Sequence, residues 1–83
     1  MNRDEVVIGL ADIISGTAGV DRAEVTPDRP VADLGVDSLM MVDVVVAAED
    51  RFGLMISDDR WMRFRTVGEL ADYIERAAAI TPN

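Results

Sequence analysis

Apolar residues recur at helical spacing in three stretches of this chain, and nowhere do they alternate as a half-buried strand would. Asn2 can cap a first helix, with Glu5 three residues on as in a capping box, and Val6, Leu10, Ile13 and Ile14 follow. Gly16 and Gly19 offer that helix two places to stop. A second helix is expected from about Ser38 to Phe52, with Gly53 as its C-terminal stop. The last opens with Thr66-Val67-Gly68-Glu69, again a capping-box pattern, and sets Val67, Leu70, Ile74 and Ala77 or Ala78 on one face. A short additional helix begins at Ser57, with Asp58 and Asp59 in its first turn and Arg60, Arg63 and Arg65 among Trp61, Met62 and Phe64 towards its end. The tail Thr81-Pro82-Asn83 is expected to fray. The expected fold is all-α, a small bundle of three main helices plus one short helix.

A chain of 83 residues makes one small domain. At this size about 60–65% of the unfolded chain's surface can be buried. A hydrophobic content of 49% is ample for a core. The absence of cysteine excludes a disulfide framework or thiolate metal site, and the absence of histidine removes the usual zinc ligand as well. Sixteen acids against eight bases, all arginine, give a net charge of −8. Nucleic acid and anionic membranes are poor partners for such a body, and basic protein patches are good ones, although the charge also serves solubility. Met1-Asn2-Arg3-Asp4-Glu5 carries acids where a signal peptide is basic, and no apolar run approaches a membrane span. A soluble, cytoplasmic monomer is the expectation.

Residues 17–37 show no period, and a connection of about twenty residues is long for a compact domain. Val20, Val25, Val31 and Leu34 are spaced to pin this loop to the core. The second helix then carries two apolar stripes. Met41, Val45, Ala48 and Phe52 make one, and Leu39, Val42 and Val46 make another, interleaved with Asp43, Glu49 and Asp50. One stripe serves a core. The acid-rimmed second stripe has the character of a partner-binding face. Its alternative is burial against neighbouring helices, which is harder to arrange in so small a domain.

Ser38 stands where the aperiodic loop gives way to the second helix, in the run Asp33-Leu34-Gly35-Val36-Asp37-Ser38-Leu39. Free backbone N–H groups and the helix dipole at such a start favour a negative group such as a phosphate. With no histidine or cysteine in the chain, the serine has no evident base to make it a nucleophile. Asp33 and Asp37 could pair as acid and base, but no second constellation supports catalysis, and no Asp-x-Asp-x-Asp-Gly loop supports an EF-hand. On position alone, a plain helix N-cap is the preferred account of Ser38, ahead of attachment of a phosphate-linked group.

These residues resemble the acyl carrier proteins, the phosphopantetheine-dependent carriers of fatty-acid and polyketide synthesis. The run through Asp37-Ser38-Leu39 is close to that family's modification motif. Val42-Asp43, Ala47-Ala48-Glu49-Asp50-Arg51-Phe52-Gly53, Ile56-Ser57-Asp58-Asp59 and Thr66-Val67-Gly68-Glu69-Leu70 with Asp72-Tyr73-Ile74 extend the resemblance across about residues 4–77. The resemblance implies a single acyl carrier domain over residues 1–83, with an ordered core at about 3–79. It implies a 4′-phosphopantetheine attached covalently to Ser38 by a phosphopantetheinyl transferase, with Asp37 and Leu39 completing the attachment motif. It implies a non-catalytic carrier of thioester-bound acyl groups, without a metal. Leu39, Val42, Asp43, Val46, Glu49 and Asp50 would form the surface read by ketosynthase, acyltransferase and related enzymes through their basic patches. Two other functions compete: a peptidyl or aminoacyl carrier of a nonribosomal system, and an unmodified acidic helical adaptor.

The chain departs from the family pattern at Met40, at Ser57 and in Arg60-Trp61-Met62-Arg63-Phe64-Arg65. The arginines either complement a helix dipole or reverse local charge and so tune partner choice. Trp61 and Met62 fall where family members line an acyl cavity, and a plain core role is the preferred reading for them.

Overall fold

The computed structural model of the chain describes residues 2–56 and 63–80. Three helices order this part, α1 (Arg3–Ala18), α2 (Ser38–Phe52) and α3 (Val67–Ile80). The short helix expected from Ser57, with Arg60, Trp61 and Met62, lies outside the described residues.

Local signals set the helix ends. At α1, the Glu5 N–H donates to Asn2 Oδ1 at 2.9 Å. The helix passes through Gly16 and stops at Gly19, whose φ of 73° is left-handed and whose N–H closes on the Ser15 carbonyl. The second of the two candidate glycines is therefore the stop. Gly53 ends α2 in the same way, at φ 68°.

The start of α3 shows where its orphan donors go. The Val67 N–H donates to the Arg29 carbonyl and the Gly68 N–H to the Pro27 carbonyl. The Glu69 N–H donates to Thr66 Oγ1 at 3.1 Å. The loop between α1 and α2 thus supplies carbonyls that the helix lacks. Contact is close: a Cβ added at Gly68 would stand 2.9 Å from the Pro27 oxygen and 2.6 Å from Arg3 Nη2. Glycine is what this approach requires.

That loop contains two 3₁₀ turns, Arg22–Glu24 and Val31–Leu34. Val25, Leu34 and Val36 are buried, and Val20 and Val31 pack against the core in part. The expected pinning at Val20, Val25, Val31 and Leu34 is observed, with Val36 as a further anchor. Val6, Leu10 and Ile14 of α1 meet Met41, Val44, Val45 and Ala48 of α2 and Val67, Leu70, Ala71 and Ile74 of α3 in one core. Gly9 lets the Phe52 ring lie on α1, since a Cβ there would stand 2.6 Å from Phe52 Cζ. Beside that crossing, Asp12 pairs with Arg51 at 3.3 Å and with Arg22 at 3.1 Å. Among the described residues no helix is long and apolar enough to cross a membrane.

Candidate functional site

The approach to α2 is built to present one hydroxyl. Leu34 is buried, Gly35 reverses the chain at φ 80°, and Val36 is buried again. Asp37 then takes the N-cap position, its Oδ1 accepting from the Met40 N–H at 2.8 Å. Ser38 is the first helical residue, not the cap. This separates the two roles that position alone leaves merged. The carboxylate of Asp37 does the capping, and the hydroxyl of Ser38 is exposed with no hydrogen-bond partner among the described residues. The Ser38 and Leu39 N–H groups are likewise unpaired among the described residues. An exposed hydroxyl beside two such backbone donors suits attachment of a phosphate-linked group.

The face running down α2 from Ser38 is apolar and open. Leu39 is 82% exposed, Val42 43% and Val46 57%. The second stripe is therefore not buried by neighbouring helices, whereas Met41, Val45 and Ala48 of the first stripe are. Asp43 and Asp50 are exposed beside it and make no ion pair among the described residues. Glu49 differs from them. It is half-buried, and its Oε2 accepts from the Ile56 N–H at 2.8 Å, tying the chain after Gly53 back to α2. Part of its role is thus structural.

Met55, 82% exposed, continues the apolar face and was not among the residues expected there. With Val46, Glu49, Asp50, Gly53 and Leu54 it lines an open groove at the far end of α2. Its signal in the sequence is the alternation Leu54-Met55-Ile56, buried, exposed, buried, which is too short to register as a period. No group of three or more acidic, histidine or cysteine residues among the described residues could hold a metal ion.

A family model described as a phosphopantetheine attachment site matches residues 9–74. The chain is 46% identical over 78 residues to an acyl carrier protein of Acidothermus cellulolyticus, covering 93% of each. It is 48% identical over 73 residues to an acyl carrier protein of Thermobifida fusca, covering 87% of this chain and 92% of the relative. It is 40% identical over 81 residues to a meromycolate extension acyl carrier protein of Mycolicibacterium smegmatis, covering 96% and 82%. Among solved structures, the acyl carrier protein of Enterococcus faecalis superposes with a TM-score of 0.76 at 36% identity, covering 93% of this chain and 99% of that one.

Proposed function

The chain belongs to the acyl carrier proteins, and from that premise we propose that Ser38 is its attachment point and the Leu39–Val46 face of α2 its docking surface. Membership makes it a carrier, not an enzyme, with a covalently attached 4′-phosphopantetheine. The observation that carries the assignment is the division of labour at the start of α2: Asp37 caps the helix and Ser38 Oγ stands exposed beside it. The arm's terminal thiol supplies the thioester chemistry, consistent with a chain that has no cysteine of its own. The protein's own residues have three tasks. Leu34 and Val36 anchor the loop, Asp37 fixes the first turn, and the exposed aliphatics offer short-range contact to each enzyme in turn.

The partners we propose are a phosphopantetheinyl transferase and synthase enzymes with basic docking patches, in fatty-acid or polyketide chemistry. Asp37, Asp43 and Asp50 are exposed on or beside the α2 face, and a net charge of −8 attracts such a patch at long range. Contacts of this kind steer association and weaken with salt, which suits a shuttle that must let go.

Loading distinguishes an acyl from an aminoacyl carrier. The holo chain is offered malonyl-CoA with a bacterial malonyl transferase and, separately, an amino acid with ATP and an adenylating enzyme. We expect a malonyl adduct released by hydroxylamine. Loading by the amino acid alone would favour the nonribosomal reading.

A further inference from the structure

Resting on that carrier reading, we propose that Arg63 and Arg65 form a partner-selecting edge beside the attachment loop. They oppose an enzyme whose docking face is basic throughout, and favour one that sets an acidic side chain opposite them.

Acids outnumber bases sixteen to eight in this chain, so a surface arginine readily finds a partner. Arg3, Arg22, Arg29 and Arg51 each do, with Asp72, Asp12, Glu24 and Asp12 respectively. Arg63 and Arg65 are exposed and pair with no acid among the described residues. Glu69, near them in sequence, is engaged with the Thr66 hydroxyl at 3.4 Å.

Helix stability does not account for Arg65. It directly precedes the capping residue Thr66 of α3, where the dipole is positive and disfavours a cation. Arg65 itself stands outside any helix. The segment is also fixed in place. Phe64 is half-buried with its ring 5.4 Å from that of Tyr73, and the Arg65 carbonyl accepts from the Val31 N–H at 2.9 Å. The Val31 carbonyl in turn accepts from the Val36 N–H, two residues before Ser38. The backbone of Arg65 is thus tied through Val31 to Val36, two residues before Ser38, and Arg63 stands two residues before Arg65 in the same segment; neither arginine has an acid partner among the described residues. An enzyme seated on Ser38 meets the acidic face of α2 and this cationic edge in the same encounter. Like charge there raises the cost of docking, and opposite charge lowers it.

The test compares Arg63→Glu and Arg65→Glu with Arg76→Glu. Arg76 is exposed, makes no ion pair among the described residues and lies about 14 Å further along α3 at 1.5 Å per residue. Each variant changes the net charge by the same amount. After intact mass has established the holo form, kcat/KM is measured for malonyl transfer by a bacterial malonyl transferase with a basic docking face. We expect roughly a three- to tenfold rise at low salt for the variants at 63 and 65, and less than twofold at 76. The rise should shrink as salt is added. The neutral variants Arg63→Gln and Arg65→Gln, which perturb the segment least, should give a smaller rise of the same sign. Unchanged or lowered values at 63 and 65, or an equal rise at 76, would overturn the proposal. A wild-type chain that never gains the arm would overturn the carrier reading itself. An arm gained and loaded without any change in these rates would overturn the edge alone.

Discussion

Leu39→Glu is expected to lower the kcat/KM of a phosphopantetheinyl transferase by about 30-fold or more while leaving the fold intact. Leu39 is 82% exposed, so its removal from the surface costs the folded state almost nothing. Glutamate is nearly as good a helix former as leucine, and in the first turn of α2 its charge is favoured by the dipole. Docking is affected differently. The side chain next to the reacting hydroxyl is the natural centre of the contact, and an aliphatic anchor lost from such a centre costs about 2 kcal/mol or more, at 1.4 kcal/mol per factor of ten. Urea denaturation of the same variant checks the other half of the expectation. A normal rate would remove Leu39 from the docking face, and a lowered midpoint would attribute the loss to unfolding.

Ile74→Ala is expected to destabilise the fold by about 2–5 kcal/mol, the cost of a cavity plus lost transfer energy. Ile74 is fully buried, with Leu10 and Ile14 of α1 in the same core. The total stability of a domain this size is of the order of 4–12 kcal/mol, so a large share is at risk. The denaturation midpoint should fall sharply, with the slope retained. A shift below 0.5 kcal/mol, the ordinary range of surface changes, would mean that α3 is not seated as described.

Much of this architecture is legible in the sequence because its signals are local. Both ends of α2 are of that kind: a polar cap beside an apolar run, and Gly53 at a left-handed stop. Where two candidates are equivalent locally, tertiary contact decides. Gly16 could have ended α1, but continuing to Ala18 brings that residue against the core, and Gly19 then provides the left-handed cap. Asp37 and Ser38 are both good capping residues. The spacing to the Met40 N–H gives the role to Asp37, and this is what leaves the serine free.

Other features depend on partners distant in sequence. The turns at Arg22–Glu24 and Val31–Leu34 sit in a loop clamped to residues 65–68, and no period within the loop encodes that clamp. Glu49 falls on the acidic rim by helical spacing, yet it is drawn to the Ile56 N–H across the turn at Gly53. The exposed stripe of Leu39, Val42 and Val46 is readable as a second apolar line on α2. Its continuation to Met55 depends on how the chain leaves the helix, which periodicity does not describe.

We propose that Ser38 carries the arm. Its most direct test is the intact mass of the folded chain after incubation with coenzyme A and a broad-specificity phosphopantetheinyl transferase, beside Ser38→Ala. Asp37 still caps α2 in that variant, so its fold should be preserved. The wild type is expected to gain one phosphopantetheine and Ser38→Ala none. No gain on the folded wild type, or an equal gain on both, would contradict that proposal.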